Sequence, residues 1–426
     1  MSKRLLIEGG RPLSGTLACA GSKNSVLPIL AACILTSDRL HIKNIPHITD
    51  ITSMLELLNC MGTRISFLEG ARSQLELSLE TSNLTSTVAP YELVNTMRAS
   101  VLVLGPLLAR HGQAEVAMPG GCSIGARPID QHLNALRAMG AQIQINQGVI
   151  EARSQGRLQA AHIHLDMPTV TGTENIMMAA TLADGTTRLS NAAQEPEVQD
   201  LAQCLTRMGA RIQGAGSNEI HIEGVHELHG CTHQVIPDRI EAATYLSAAA
   251  ATMGSITLTQ CTPSHLTAFT DKLTEYGAQL EFEPDSIKLS MPDQIQGIQA
   301  TDITTAAYPG FPTDMQAQFL VLNAIASGRA QIHEQIFENR FRHAQEMNRM
   351  GASITLSGNT AISTGPAHMT GAQVTASDLR GAASLVIAGL HAKGQTTIAN
   401  IEVIDRGYER IEEKLQQLGA CITRIR

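Results

Sequence analysis

The chain has 426 residues, of which 43% are hydrophobic and 16% charged, and its formal net charge is −8. This length exceeds one ordinary hydrophobic core, so we expect two domains, and the composition excludes a disordered protein. The negative charge, the absence of Trp and an aromatic content of only 3% argue against a nucleic-acid-binding protein.

The cysteines and the N-terminal segment both indicate a protein of a reducing compartment. Eight cysteines are spread along the chain without a C-x-x-C pair, which fits neither a disulfide framework nor a zinc site. The N-terminal segment has only the short apolar run Leu5-Leu6-Ile7 before Glu8, and no run of about 18 uncharged apolar residues occurs that could span a membrane. We therefore expect a soluble cytoplasmic protein with no signal peptide and no membrane partner.

The first predicted elements are a strand from Arg4 to Ile7 and a helix that opens at Ser22-Lys23-Asn24. Free backbone N–H groups and the helix dipole favour an anion at such a helix start. Lys23 is therefore a candidate ligand for a negatively charged group.

A short phrase, apolar-Gly-small-x-aliphatic, then occurs six times along the chain. Its glycines are residues 62, 140, 209, 277, 351 and 419, so successive copies are 78, 69, 68, 74 and 68 residues apart. Each copy follows a helical pattern, such as Asp130 to Met139 or Tyr408 to Leu418, and precedes alternating residues typical of a strand. The glycine supplies the left-handed conformation that ends a helix. Six copies at near-constant spacing predict six α/β repeats.

A second pattern, an Ala-rich helix followed by a turn and a strand, supports the repeat. It occurs in the segments 179–189, 246–258 and 385–398. A helix as apolar as Leu246 to Met253 needs cover on nearly all sides, which favours compact domains over a solenoid. We expect three repeats in each domain, with helices inside and sheets outside. The predicted domains are residues 22–236 and residues 1–21 with 237–426.

The strand Arg4 to Ile7 precedes the first repeat. We therefore expect it to pair with strands of the last repeat, which leaves two chain crossings between the domains.

A glycine-rich segment from Met118 to Pro128 follows the predicted strand Glu115 to Met118. Three glycines allow close approach to a ligand, and the segment carries Cys122 and Arg127, five residues apart. A thiol beside a cation is more acidic and can act as a nucleophile or proton donor. A buried structural cysteine is the alternative, but a glycine-rich loop is a poor place to bury one. The pattern therefore favours a functional thiol.

The same residues also match G-x-S-x-G, the nucleophile elbow of α/β hydrolases, in Gly121-Cys122-Ser123-Ile124-Gly125. The elbow requires a helix directly after the serine, whereas Pro128 delays the helix here. The sixfold repeat also conflicts with a hydrolase sheet, so this alternative is disfavoured.

Several further cations stand in polar, turn-like segments. A single one is more often part of a surface ion pair, but their number suggests a small, doubly charged anion held by guanidinium groups. Together with Lys23 these are Arg98, Arg340, Arg380 and Arg406.

Asp314 is the acidic residue with the most unusual context. Two prolines and a glycine precede it in the segment 307–319, which leads into an apolar helix. Thr313 or Asp314 could equally be a simple N-cap of that helix. His162 and His164 alternate on a strand, but no third ligand has a matching spacing, so we expect them to be solvated. Neither a P-loop nor a dinucleotide-binding glycine motif occurs.

These segments together resemble the UDP-N-acetylglucosamine 1-carboxyvinyltransferase family of enolpyruvyl transferases, from about residue 4 to the C-terminus. The resemblance rests on Ser22-Lys-Asn24, Thr96-Met-Arg-Ala-Ser100, Pro119-Gly-Gly-Cys-Ser-Ile-Gly-Ala-Arg-Pro128, Phe311-Pro-Thr-Asp-Met-Gln-Ala-Gln318, Glu338-Asn-Arg-Phe341 and Asp405-Arg-Gly-Tyr-Glu-Arg-Ile411. It implies two inside-out α/β barrel domains of three repeats each, with the active site in the cleft between them.

The resemblance also implies the first committed step of peptidoglycan synthesis and the residues that perform it. Cys122 would protonate the methylene of phosphoenolpyruvate, could form a covalent adduct and would be alkylated by fosfomycin. Asp314 would take the proton of the sugar 3′-hydroxyl, and the resulting tetrahedral intermediate would lose phosphate. No metal and no cofactor would take part.

Two sets of binding residues follow from the same resemblance. Phosphoenolpyruvate would lie among catalytic Lys23, Arg127 and Arg406, with Arg340, Asp378 and Arg380 around it. UDP-N-acetylglucosamine would contact Asn24, Arg98, Thr169, Val170, Thr313, Asp314 and Ile336.

Two segments depart from the commonest family pattern. Thr169-Val-Thr-Gly-Thr173 stands where Ser-Val-Gly-Ala-Thr is usual, and Ala20-Gly-Ser-Lys23 stands where Ser-Gly-Ala-Lys is usual. Backbone contacts to the uridine would survive the first change, and the second changes residue size little.

Two other functions stay open. A shikimate-pathway enolpyruvyl transferase would share the architecture, and an inactive nucleotide-sugar-binding paralogue would share the scaffold. The paralogue would be expected to lack Cys122, Asp314 or an arginine of the phosphate site, and all of these are present.

Overall fold

The computed structural model describes residues 3–70, 75–95, 97–119, 129–292 and 297–425. These residues separate into two compact units. The first unit consists of described residues 21–119 and 129–236, and the second unit of 3–20 and 237–425 with its gap at 293–296.

The described residues contain thirteen α-helices. They are α1 Lys23–Ala32, α2 Thr49–Cys60, α3 Tyr91–Val94, α4 Leu104–His111, α5 Asp130–Ala138, α6 Val170–Ala180, α7 Pro196–Arg207, α8 Arg239–Ala251, α9 Thr267–Tyr276, α10 Gln316–Ile325, α11 His343–Arg349, α12 Leu379–His391 and α13 Ile411–Gln417. Short 3₁₀ helices carry several predicted site residues, at Arg98–Val103, Thr313–Met315 and Ile401–Arg406.

The same residues contain twenty-four β-strands. They are β1 Arg4–Glu8, β2 Ser14–Ala18, β3 Arg39–Ile45, β4 Arg64–Glu69, β5 Leu75–Glu80, β6 Val88–Ala89, β7 Gln113–Ala117, β8 Gln142–Asn146, β9 Val149–Arg153, β10 His162–His164, β11 Thr186–Ser190, β12 Arg211–Gln213, β13 Glu219–Glu223, β14 Thr232–Gln234, β15 Ser255–Thr259, β16 Gln279–Glu283, β17 Ser286–Ser290, β18 Ile303–Thr304, β19 Gly328–His333, β20 Ile354–Ser357, β21 Thr360–Gly365, β22 Gln373–Thr375, β23 Gln395–Ala399 and β24 Cys421–Ile425.

The strands form six four-stranded sheets of one design, with one parallel and two antiparallel pairings in each. In the first unit the strand orders are β14-β3-β5-β4, β6-β7-β9-β8 and β10-β11-β13-β12. In the second unit they are β16-β17-β15-β2, β18-β19-β21-β20 and β22-β23-β1-β24. The predicted sixfold α/β repeat is therefore confirmed.

The glycine of each repeated phrase ends a helix as predicted. Gly62, Gly140, Gly209, Gly277, Gly351 and Gly419 all have φ between 90° and 117°. A side chain at this φ would be strained, so only glycine ends the helix and starts the next strand without strain.

The N-terminal strand completes a sheet of the last repeat. Strand β1 pairs antiparallel with both β23 and β24, and Leu5 lies opposite Ile398 and Arg424. The predicted pairing with the last repeat is confirmed. In the first unit β14 similarly pairs with β3, so the last repeat of that unit contributes a strand to the first.

The apolar helices lie inside each unit, and the sheets cover them. Helices α8, α10 and α12 contact one another, and every residue of α8 is buried. The strands bury alternate residues, such as Leu5 and Ile7 in β1. Each unit has its own hydrophobic core. This is the inside-out α/β architecture that the sequence predicts, and no helix within the described ranges is long and apolar enough to cross a membrane.

Candidate active site

Part of the predicted site lies outside the described residues. Residues 120–128, with Cys122 and Arg127, belong to this part, as does Thr96. The functional thiol and the role of Arg127 therefore stay predictions, whereas the six four-stranded sheets of the described residues contradict the hydrolase alternative. The other predicted site residues can be located.

The second unit brings Asp314, Arg340 and Arg380 together, although they are far apart in sequence. One carboxylate oxygen of Asp314 accepts a hydrogen bond from Nη2 of Arg340, and the other lies 3.3 Å from Nη2 of Arg380. The side chains of the two arginines are only 4% and 6% exposed, whereas that of Asp314 is 29% exposed. We call these three residues the Asp314 cluster.

Local structure places each member of the cluster. Asp314 lies in the 3₁₀ turn that precedes α10, and Arg340 lies shortly before α11. Arg380 is the second residue of α12, whose N-cap Asp378 accepts hydrogen bonds from the backbone N–H groups of Arg380 and Gly381 at 3.1 and 3.0 Å. These backbone bonds hold the start of α12 and with it the Arg380 side chain.

The alternative interpretation of Thr313 or Asp314 as a simple N-cap is wrong. Pro312 precedes the 3₁₀ turn and Met315 precedes α10, and neither start has a side-chain cap. The Thr313 hydroxyl instead donates to Glu334 at 2.9 Å. The Asp314 carboxylate instead pairs with the charged donors of Arg340 and Arg380.

A buried hydrogen-bond chain orients Arg380. Its Nη1 donates to the Tyr408 hydroxyl at 3.1 Å, and that hydroxyl lies 2.8 Å from Oγ1 of Thr244, which donates to the backbone oxygen of Ile240. Because Arg380 can only donate, the Tyr408 proton points to Thr244. Burial opposes the charge of Arg380, but Tyr408 and Asp314 raise its pKa above the ordinary value. Arg380 is therefore a permanently charged, preorganised donor.

The Asp314 cluster joins two guanidinium groups to one carboxylate, and the ionised carboxylate of Asp378 lies near enough to Arg340 to interact with its charge. Nε of Arg340 is buried and has no hydrogen-bond partner among the described residues. A buried polar group without a partner is costly and calls for a ligand or water. The two guanidinium groups and the unpaired N–H of Arg340 therefore offer donors to a polar or anionic ligand.

Glu334 organises the neighbouring loop, and the sequence patterns did not indicate it. It is 1% exposed and accepts hydrogen bonds from the Thr305 and Thr313 hydroxyls and from the backbone N–H groups of Ile336 and Phe337. It thereby links two predicted binding residues, Thr313 and Ile336. The signal available in the sequence was a carboxylate directly after β19, a strand in which polar and apolar residues otherwise alternate.

Arg406 and Asp378 occupy the same unit. Arg406 is the last residue of the 3₁₀ helix before Gly407 and is half-buried. Burial raises the pKa of Asp378, but the hydrogen bond from Gly381 and the nearby His343 and Arg340 lower it below its ordinary value. Asp378 is therefore ionised at neutral pH and serves as the N-cap of α12.

In the first unit, Lys23 begins α1 and forms a buried ion pair. Its Nζ lies 2.6 Å from Oδ2 of Asp50, and the side chains are 12% and 4% exposed. Asn24 follows Lys23 in the first turn of α1 and is half-buried. The patterns missed Asp50 because it looks like an ordinary acidic residue in the first turn of α2.

Thr169, Val170 and Arg98 also lie in the first unit. Thr169 is the N-cap of α6, and its hydroxyl accepts from the Gly172 backbone N–H at 3.3 Å. Arg98 begins a 3₁₀ helix, and its charge adds to the effect of burial in lowering the pKa of His132 to about 4. His132 is therefore neutral at pH 7, and it lies next to Thr171 and Asn175.

His162 and His164 are exposed residues of β10, as expected for solvated side chains. Within the described part of the chain, no group of three or more His, Cys, Asp or Glu residues could hold a metal ion.

Comparison with known proteins decides the family. The family model of EPSP synthase, described as 3-phosphoshikimate 1-carboxyvinyltransferase, matches residues 7–415. The chain belongs to the EPSP synthase family. It is therefore an enolpyruvyl transferase.

Solved structures show the same fold over the whole chain. The enolpyruvyl transferase NikO from Streptomyces tendae matches with a TM-score of 0.88 and 25% identity, over 100% of this chain and 99% of that chain. Two structures of EPSP synthase from Acinetobacter baumannii match with TM-scores of 0.75 each and identities of 18% and 20%, over 99% or more of both chains. At identities of 18% and 20%, the likeness to the EPSP synthases shows that this chain shares their fold.

Proposed function

We propose that this enolpyruvyl transferase transfers the enolpyruvyl group of phosphoenolpyruvate to the 3′-hydroxyl of UDP-N-acetylglucosamine and releases phosphate. The reaction would be the first committed step of peptidoglycan synthesis and would take place in the cytoplasm. The substrates are small molecules, and no metal or cofactor is needed.

The observation that carries the proposal is the position of Asp314 between two buried arginines. Asp314 belongs to the string 311–318, which resembles the nucleotide-sugar enzymes rather than the shikimate enzymes. Its carboxylate is the partly exposed member of the cluster, so a hydroxyl of a substrate can reach it. The Cys-bearing string 119–128 supports the same acceptor by resemblance.

Phosphoenolpyruvate would bind through its phosphate and carboxylate groups. We assign these contacts to Lys23, Arg127 and Arg406, with Arg340 and Arg380 beside them. An anion at Arg340 and Arg380 competes with Asp314 for their N–H groups. Substrate binding would therefore loosen the ion pairs of Asp314 and release its oxygens to accept a proton.

The chemistry follows as addition and elimination. Cys122 donates a proton to the methylene carbon, Asp314 accepts the proton of the 3′-hydroxyl, and the hydroxyl oxygen bonds to the electron-poor C2. In the second step the thiolate of Cys122 takes a proton back from the new methyl group, the C2–O bond to phosphate breaks with its electron pair leaving on the phosphate oxygen, and the enol ether forms. The guanidinium groups stabilise the departing phosphate electrostatically.

The nucleotide sugar would contact residues of both units. We assign it Asn24, Arg98, Thr169 and Val170 from the first unit, and Thr313, Asp314 and Ile336 from the second. Glu334 would support this group indirectly, because it holds Thr313 and the backbone of Ile336.

The experiment is a phosphate-release assay with phosphoenolpyruvate and either UDP-N-acetylglucosamine or shikimate 3-phosphate. We expect release only with the nucleotide sugar, and loss of release after fosfomycin treatment. Release with shikimate 3-phosphate alone would contradict the proposed acceptor.

A second candidate acceptor deserves this direct comparison because the matching family model is described by the shikimate reaction. Binding of UDP-N-acetylglucosamine without phosphate release would instead indicate an inactive paralogue. Calorimetric titration with the nucleotide sugar distinguishes that outcome from an enzyme that uses another acceptor.

A further inference from the structure

Arg424 stands at a position where the other repeats carry no charge. It is the fifth residue after the glycine of the last repeated phrase. The corresponding residues of the other five repeats are Phe67, Ile145, Gly214, Phe282 and Leu356. The four large apolar residues among them are exposed, at 42% to 65%. The repeat itself therefore does not require an arginine here, and the contacts of Arg424 indicate another role.

The guanidinium group of Arg424 binds two carboxylates on either side of Arg406. Nη1 and Nη2 donate to the two oxygens of Asp405 at 2.8 and 2.7 Å. Nε and Nη2 donate to the two oxygens of Glu412 at 2.6 and 2.9 Å. Asp405 is the penultimate residue of the 3₁₀ helix that ends at Arg406, and Glu412 lies in the first turn of α13. We call Arg424, Asp405 and Glu412 the Arg424 clamp.

The geometry of the clamp fixes orientation more than it adds stability. A single exposed ion pair contributes little, but a forked pair shared with a second carboxylate restricts all three side chains. The side chains of Arg424, Asp405 and Glu412 are 23%, 29% and 13% exposed, so water competes only in part for their hydrogen bonds. Because a 3₁₀ helix has poorer hydrogen bonds than an α-helix, a contact from outside helps to fix its last turn. The clamp therefore holds the backbone from which the Arg406 side chain extends.

The clamped segment 405–412 lies against the start of α12. A Cβ atom added to Gly407 would come within 2.7 Å of Cδ2 of Leu379, the residue before Arg380. The hydroxyl of Tyr408 accepts a hydrogen bond from Nη1 of Arg380 at 3.1 Å. Arg406 therefore directly precedes two residues that contact the start of α12, next to the Asp314 cluster.

We propose that Arg424 is a positioning residue for enolpyruvyl transfer, because it holds Asp405 and Glu412 and thereby orients Arg406 toward phosphoenolpyruvate. The inference rests on the proposed binding role of Arg406. The clamp uses four of the five N–H groups of Arg424. Arg424 therefore acts through Arg406 rather than on the substrate.

The variant Arg424→Leu tests the proposal, because the fifth repeat carries a leucine, Leu356, at this position. We expect kcat/KM for phosphoenolpyruvate to fall about tenfold, mainly through KM, since an unfixed Arg406 must be ordered when the substrate binds. Steady-state phosphate release, with the acceptor that supports turnover, measures both constants. Arg211→Leu is the matched control, because it removes an exposed ion pair from the edge strand β12 of the first unit, and it should keep the wild-type KM.

A second background separates this role from a merely structural one. In Arg406→Ala there is no guanidinium group to orient, so adding Arg424→Leu should change kcat/KM by less than about twofold, whereas independent effects would multiply. A multiplied effect, or a wild-type KM in Arg424→Leu, would overturn the inference while leaving the role of Arg406 in place. A wild-type kcat/KM in Arg406→Ala alone would overturn both the proposed binding role of Arg406 and this inference.

Asp405→Asn tests the same clamp without a change in β24. It removes the charge and one acceptor of the forked pair and leaves Glu412 bound to Arg424, so we expect KM for phosphoenolpyruvate to rise about threefold. Thermal unfolding shows whether each variant is folded. If Arg424→Leu folds poorly, Asp405→Asn decides the proposal, and a wild-type KM in this variant would overturn it.

Discussion

The two units share one repeat but use the polar residues near their central helices differently. In the second unit, charges meet inside the protein, since Asp314 contacts Arg340 and Arg380. In the first unit the corresponding region around α6 holds a neutral group, in which Asn175 donates to Nδ1 of His132 at 3.0 Å. The same arrangement of helices and sheets therefore supports an ion-paired cluster of three residues in the second unit and an uncharged His132–Asn175 pair beside α6 in the first, where Lys23 and Asp50 form a separate buried ion pair.

The repeat supplies the scaffold of each unit, and individual side chains supply the chemistry. Helices α8 and α12 of the second unit both begin at an aspartate N-cap. Arg239 directly follows the cap Asp238 of α8, and Arg380 lies two residues after the cap Asp378 of α12. Helix α6 of the first unit begins at Thr169, a neutral N-cap. Carboxylate caps at the helix starts place charge next to the arginines, and a threonine cap does not.

The largest expected effect is that of Asp314→Asn on turnover. Asparagine keeps the size of the side chain but cannot accept a proton, so we expect kcat to fall about 1,000-fold. Phosphate release under saturating substrates measures the change, with exposed Asp285→Asn of the same unit as a control that should keep wild-type kcat. A kcat within threefold of the wild type would exclude Asp314 as the base.

A second prediction concerns the neutral group in the first unit. Burial and Arg98 lower the pKa of His132 to about 4 in the folded protein, so between pH 6.5 and 4 the unfolded chain binds a proton that the folded chain does not. His132 therefore destabilises the fold as the pH falls through this window, by about 3 kcal/mol in total.

Urea unfolding of the wild type and of His132→Gln at pH 7 and pH 5 measures this effect. We expect the variant to lose less of its unfolding free energy between the two values, although it is less stable at pH 7. If the wild type and the variant lost the same unfolding free energy between pH 7 and pH 5, His132 would be protonated in the folded protein at pH 5.

A third prediction tests the support of the charged site. Glu334→Gln replaces one acceptor oxygen by a donor and leaves the donors around it, including Thr313, without full pairing. We expect a loss of about 2 kcal/mol of unfolding free energy, because a buried donor without a partner bears the full desolvation cost. Urea unfolding measures the loss, and exposed Glu338→Gln serves as the control. Equal stability of the two variants would contradict this role.

The smallest expected effect is that of Arg380→Lys. The charge remains, but the forked geometry that reaches Asp314 and Tyr408 together is lost. We expect KM for phosphoenolpyruvate to rise about tenfold with a smaller change in kcat. Steady-state kinetics measure both constants beside Arg349→Lys, an exposed control, and a change in kcat alone would argue against substrate binding by Arg380.

Local patterns in the sequence were sufficient to predict much of the fold. The six glycines needed no tertiary information, because a left-handed helix end is a property of a few neighbouring residues. The pairing of β1 with the last repeat followed from counting strands and helices. Glu334 and Asp50 were not predicted, because a carboxylate that pairs with residues distant in sequence produces no periodic pattern in its own segment.

The sequence by itself determined the six repeats, the inside-out arrangement and the residues that resemble enolpyruvyl transferases, since each depends on short segments. Only the tertiary structure decided that Asp314 pairs with Arg340 and Arg380 rather than capping α10. The physical reason is that short-range periodicity encodes helices and strands, whereas burial and ion pairing depend on which segments the fold brings together.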